Sequence, residues 1–192
     1  MATSPAPARR WTRAEYDRLV EVGVFRPGEP VELLGGELIV SEPQGSAHHT
    51  AIGLVEDALR AALGGAWLVR SQGPIALDDD SEPEPDVAVA PGSRRDYSRQ
   101  HPARPSLVVE VAEASLRLDR EHKGSLYARA GLADYWILNL VDRVVEVYRR
   151  PVPDPSTPFG WRYGSREVLG PGASVMPLVA PDTPIPVGTL LP

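Results

Sequence analysis

The segment Ser106-Leu107-Val108-Val109-Glu110-Val111-Ala112 limits the fold of this chain more than any other. A short, β-branched apolar run of that length is the pattern of a central strand buried on both faces, with layers packed on either side. Glu110 interrupts the run. An unpaired ionised carboxylate among such neighbours is very costly, so Glu110 must be paired, protonated, metal-bound or turned into a cleft.

The rest of the chain supplies the layers. Thr12-Arg13-Ala14-Glu15 is a capping-box pattern, and Leu19, Val20 and Val22 follow, which predicts a short helix over 12–22. Val31–Leu34 and Glu37–Val40 flank Gly35-Gly36, a two-residue hairpin signal. Ile52, Val55, Leu59 and Ala62 recur at helical spacing over 47–63, where Gly64-Gly65 stops the helix. Strands are expected at Trp67–Arg70, Pro74–Leu77 and Asp86–Ala90, the last begun by Pro85. A polar loop over 91–105 leads to the central strand. Beyond it, Asp119 is placed to cap a helix that runs to Ala130 and ends at Gly131. Tyr135–Leu138 and Val144–Tyr148 form a hairpin around the turn at 139–143. The tail over 151–192 holds ten of the 21 prolines, with short edge strands at 161–163, 166–169 and 173–176 and no visible chemistry. The pattern is α/β (α+β by some criteria), a mixed sheet flanked by helices with a β-rich C-terminal tail. Residues 1–10 read as a disordered Pro- and Ala-rich tail, and 11–192 as a single domain with its core over 12–150.

A chain of 192 residues with 42% hydrophobic content suits one globular domain. No stretch approaches the length of a membrane-spanning helix, and no apolar run follows the early arginines as in a secretory signal. There is no cysteine. That excludes disulfides, thiolate metal sites and cysteine nucleophiles, and it fits a reducing, cytoplasmic setting. No Gly-x-Ser-x-Gly elbow, phosphate-binding GxxxxGK[ST] loop or GxGxxG turn occurs. His48-His49, without cysteine or HExxH spacing, is a poor zinc signal.

Two counts stand out. Of the 20 basic residues, nineteen are Arg and one is Lys, Lys123. Arg and Lys are near-equivalent as surface charge and differ where a compact ammonium with a movable proton is wanted. The net charge of −6 is local as well. Asp78, Asp79, Asp80, Glu82, Glu84 and Asp86 supply six acids in nine residues, and outside them acids and bases balance. Asp86 ends that run and opens an apolar strand. Lys123 lies one turn into the helix after the Glu110 strand, about 6 Å of rise from its start, within reach of Glu110. Two carboxylates on adjacent strands can hold a hard divalent cation through oxygen, and an ammonium beside them can orient water or stabilise charge on a phosphoryl oxygen. In the loop before the central strand, Arg94, Arg95, Arg99 and Arg104 accompany only Asp96, a candidate set of phosphate contacts.

Pro85-Asp86, Leu107–Val111 with Glu110, then Lys123 with Tyr127–Gly131 and Asp134–Ile137, resemble a restriction-endonuclease family of the PD-(D/E)XK nuclease superfamily. The resemblance reaches back to Glu32–Glu37 and to His48, and covers 12–150. It implies a restriction-endonuclease-like core and Mg²⁺-dependent phosphodiester hydrolysis, with Mn²⁺ as a substitute. Asp86 and Glu110 match the metal-binding carboxylates, with a backbone carbonyl near Val111 as a further ligand. The lysine expected two residues after the glutamate is replaced by Ala112. In this family the lysine comes from the following helix, where Lys123 stands. Glu37 and His48 match further polar positions of the family, Glu37 toward a second metal or a bridging water, His48 toward phosphate or proton transfer. Tyr127, one turn after Lys123, shares its face, where packing is its expected job.

The chain therefore reads as a metal-dependent endonuclease acting on nucleic acid, DNA before RNA, with Asp86, Glu110 and Lys123 as the working residues. A homodimer would suit a double-strand cut. The other reading is a nuclease-fold module that binds nucleic acid or a protein without cutting, which the net acidity keeps open. Convergence of Asp86, Glu110 and Lys123 on one cleft is what the first reading needs.

Overall fold

The computed structural model describes residues 8–41 and 44–192. Most of the tail expected over 1–10 thus lies outside the described residues. Within its described part, Arg10 donates to the Gly35 carbonyl at 2.7 Å.

Helix α1 spans Arg13–Glu21, and its capping box is formed as expected, Thr12 and Glu15 each bonding the other's backbone N–H. Strands β1 (Val31–Leu34) and β2 (Glu37–Val40) pair antiparallel around Gly35-Gly36. Gly35 has φ +56, and a Cβ there would lie 2.1 Å from the Phe159 ring, so this turn position admits glycine alone. Helix α2 spans Ser46–Leu63 and closes on Gly64 at φ +64.

The main sheet has six strands in the order β3-β4-β5-β6-β7-β8. They are β3 (Trp67–Ser71), β4 (Val87–Pro91), β5 (Leu107–Ala112), β6 (Asp134–Asn139), β7 (Val144–Pro153) and β8 (Trp161–Leu169). Only β5 and β6 run parallel, and every other neighbour pair is antiparallel. The mixed sheet and its flanking helices are those expected. Strand β5 is central and all six of its residues are buried. The parallel step needs a crossover, which is the helix between β5 and β6.

Alternation on β5 divides the core in two. Val109 and Val111 face α2 together with Trp136 and Leu138, whereas Val108 and Ala112 face Tyr127, Tyr135 and Ile137. The proline-rich tail completes the first layer. Val175 and Ile185, on the short strands β9 (Ser174–Val175) and β10 (Ile185–Pro186), pack there with Val187, Leu190 and Leu191.

Two expectations are corrected. Residues 74–77 form no strand of the sheet. Ile75, Ala76 and Leu77 donate instead to carbonyls of Pro83, Pro102 and Ser81, because the acidic run folds back beside them. Asp119 is not a cap either. Helical backbone begins at Leu116–Leu118, passes through a π turn at Asp119–Lys123 and continues over Gly124–Arg129, and we call the whole stretch α3. Asp119 is interior and buried, and its carboxylate accepts from Ser115 Oγ at 2.6 Å. The Gly124 N–H closes the π turn onto the Asp119 carbonyl, and a Cβ on Gly124 would lie 3.2 Å from that oxygen.

Candidate active site

Each site residue arrives by a local rule. Strands β4 and β5 are in register at Val87 and Val109, which sets Asp86, the residue before β4, opposite Glu110. The Val111 N–H donates to Asp86 Oδ2 at 2.8 Å, and the Asp86 N–H reaches Glu110 Oε2 at 3.4 Å. Two side chains from the start of α2 and the loop before it hold the other Asp86 oxygen. Gln44 donates to Oδ1 at 3.1 Å, and His48 Nε2 sits at the same distance. His48 is buried, so of the auxiliary residues it does join the site.

Lys123 projects from the π turn into the same place. Its ammonium lies 3.1 Å from Glu110 Oε1 and 3.2 Å from Glu32 Oε2. Tyr127, one turn on, donates to Glu110 Oε1 at 2.7 Å, so it does more than pack. Glu32 is fixed in turn by Ser41 Oγ at 2.7 Å and by the Glu84 N–H at 3.0 Å. It is placed there because β1 docks on the acidic run, Leu33 and Glu82 exchanging backbone bonds.

Glu32, Ser41, Gln44, His48, Asp86, Glu110 and Lys123 line a cleft of about 820 Å³ that also includes Glu84, Gln72 and Asp119, with Tyr127 buried behind Glu110. Glu32, Asp86, Glu110, Asp119 and Lys123 are each no more than 6% exposed, so four carboxyl groups face one ammonium out of bulk water. Burial pushes Glu110 up to about 8, assisted by Asp119, Asp86 and Glu32 and opposed by Lys123. Asp119 is driven up to about 6, again chiefly by burial. For Lys123, burial works against the charge, but Glu110, Glu32, Asp119 and Asp86 outweigh it and hold the pKa well above the ordinary lysine value.

The donor set is all oxygen and carries surplus negative charge, the chemistry of a hard divalent cation. Among the described residues, no three Asp, Glu or His side chains form a ready-made metal cage. What fits is an open site of two carboxylates, with remaining positions left to water and substrate oxygen, the way Mg²⁺ is often held.

Not every candidate converges. Glu37 is exposed at the turn end of β2, opposite Leu34, where it pairs with Arg10 at 3.0 Å; it shares the face of Glu32 but lies nearer the turn and lines no part of the cleft. Arg95, Arg99 and Arg104 are exposed and line no part of the cleft, and Arg94 borders a separate hollow beside Gln72. Four cleft residues escaped sequence reading: Glu32, Asp119 as a site group, and the pair Gln44 and Gln72. Glu32 had the same signal as Glu110, an acid inside the apolar strand Val31–Leu34. Asp119 stands four residues before Lys123, a spacing that a capping role had absorbed. Gln44 and Gln72, joined at 2.8 Å, had none.

Sheet, crossover helix and carboxylate-lined cleft together define a protein of the restriction-endonuclease-like class. The chain belongs to the Uma2 family, described as "Putative restriction endonuclease", whose match runs over residues 13–184. It is also similar to a crystal structure described as a putative nuclease belonging to DUF820 from Anabaena variabilis. That likeness has a TM-score of 0.67 at 17% identity and covers 90% of this chain and 96% of the other, a likeness of fold. No curated protein matches the chain. Among the described residues, no helix is long and apolar enough to cross a membrane.

Proposed function

We propose that the chain is a metal-dependent endonuclease that hydrolyses phosphodiester bonds in DNA, with Asp86 and Glu110 holding Mg²⁺ and a carbonyl at Val111 as a further ligand. The observation that carries this reading is the meeting of both carboxylates with the chain's one lysine in a single cleft. When bound, the cation supplies Lewis-acid polarisation of a phosphoryl oxygen and an acidified water. The protein's own groups do the rest. Lys123 stays protonated, so it acts as a hydrogen-bond donor and fixed charge, not as a base. Glu32 and Glu110 aim it, and Tyr127 steadies Glu110. Gln44 and His48 fix the Asp86 carboxylate from the opposite side. The reducing cytoplasm is the proposed setting, and a homodimer would pair two such sites for a double-strand cut.

The test is cleavage of plasmid and single-stranded DNA with Mg²⁺ or Mn²⁺, wild type beside Asp86→Ala and Lys123→Arg. Both variants are expected to lose cleavage, Lys123→Arg because a guanidinium does not fit between Glu32 and Glu110 as a compact ammonium does. Full activity in Lys123→Arg would sink the role given to the lysine. Nucleic-acid binding without cleavage under either metal would return the chain to the non-cutting reading.

A further inference from the structure

Beside the cleft, past Gln72, lies a second hollow of about 290 Å³ at the free edge of β3, and it is basic where the cleft is acidic. Arg70 on β3 and Arg94 on the loop before β5 both line it, and Tyr97 walls its far side. Among the described residues, Arg70 takes no side-chain hydrogen bond and no ion pair, although it is half-buried. Burial lowers its pKa, the pull of Glu84 works against this, and the charge of Arg94 lowers it further. Half-buried Arg70 and exposed Arg94 thus border one hollow, and no carboxylate among the described residues lies within ion-pair reach of either guanidinium. The pocket also makes room for one of them. A Cβ on Gly73 would lie 2.3 Å from an Arg70 Nη, so the guanidinium lies flat on the glycine backbone.

Gln72 joins the two hollows. It lines both, its N–H donates to the Asp86 carbonyl at 3.0 Å, and its side chain bonds Gln44, which bonds Asp86. It holds φ +46, a left-handed conformation that is uncommon and strained for a residue other than glycine. The chain turns sharply there, which carries Asp86 and the basic hollow around one corner of the same groove.

We propose that the Arg70–Arg94 hollow binds a phosphodiester group of the nucleic-acid strand flanking the one in the cleft. The inference rests on the nuclease reading of that cleft. Paired guanidinium forks suit phosphate oxygens, and an acidic cleft that repels a polyanion needs an attractive contact beside it to seat the strand.

Fluorescence anisotropy with a labelled single-stranded DNA oligonucleotide and its RNA counterpart, in Ca²⁺ and over a salt series, tests this. Arg70→Gln and Arg94→Gln should each weaken binding about tenfold and reduce the salt slope by about 1. Arg117→Gln, on the exposed face of α3, should match wild type. Gly73→Ala, which displaces the Arg70 guanidinium without removing its charge, should weaken binding with an unchanged melting temperature. Wild-type affinity and salt slope in both Arg70→Gln and Arg94→Gln overturn the inference, and wild-type cleavage in that case leaves the nuclease reading intact. Arg70-dependent binding without cleavage under Mg²⁺ or Mn²⁺ keeps the hollow and removes that reading instead. Absence of any binding by wild type removes both.

Discussion

At the residue scale, Lys123 keeps its proton because Glu110 and Glu32 stand 3.1 and 3.2 Å from its ammonium, although burial alone would drive the proton off. Glu110 is also pushed up, to about 8, which favours its neutral form, since burial and three neighbouring carboxyl groups outweigh that one ammonium. With a pKa near 8 this carboxyl is largely protonated at neutral pH, so a cation must displace a proton to bind it. Mg²⁺ affinity, measured by titration calorimetry, is therefore expected to rise roughly tenfold per pH unit up to about 8 and then level. Buffers of different ionisation enthalpy should show about one proton released per cation below that point. A pH-independent affinity would rule out Glu110 as a ligand. Glu110 was legible in the sequence because charge is out of place in an apolar strand; Glu32 carries the same signal in Val31–Leu34 and was missed. Gln44 and Gln72 were not, since amides are ordinary in loops and only the backbone turn at Gln72 brings them together.

At the element scale, the π turn of α3 decides where its side chains point. The wider turn puts Asp119 and Lys123 on the cleft side, while Glu121 and His122 face solvent. Removing one residue from the turn restores the regular repeat and changes the angle between Asp119 and Lys123, so the two no longer project into the cleft together. Deletion of His122 is therefore expected to leave helical content near wild type by circular dichroism and to abolish cleavage. Retained activity would show that the turn is incidental. A stop at Gly131 made this helix legible, but its start was hidden. Asp119 has the composition of a cap, yet Ser115 and Lys123 draw it inward. The π turn itself leaves no trace in the apolar pattern, because Arg120, Glu121 and His122 are all polar. The acidic run was likewise visible only as charge. In the fold much of it is paired, Asp78 and Asp80 with Arg129 at 2.7 and 2.5 Å, and this fastens the segment that carries β1.

At the scale of the whole molecule, the proline-rich tail is part of the core. Val175, Ile185, Val187, Leu190 and Leu191 are buried with Ile52, Val55 and Leu59 of α2. At about 1.5–3 kcal/mol per buried side chain, these five rival the total stability of an ordinary domain, about 5–15 kcal/mol. A chain ending at Leu169 is expected to lack a cooperative thermal transition, and a wild-type melt would refute this. The mixed sheet was legible from its alternating segments, and the parallel β5–β6 step follows from the helix between them. The docking of the tail was not legible, since scattered Val and Leu among prolines carry no period. The site itself is gathered from β1, the head of β4, β5 and α3, between Glu32 and Tyr127. Its groups come from segments far apart in the chain that only the folded sheet brings together. A cation seated there recognises only the complete fold, so its free concentration becomes a thermodynamic coordinate of folding. At a hundredfold excess over its dissociation constant it adds about 2.7 kcal/mol to every opening that dismantles the sheet. If Asp86 and Glu110 hold the ion as proposed, depriving the protein of it would quicken amide exchange throughout the central strands, far from those two carboxylates.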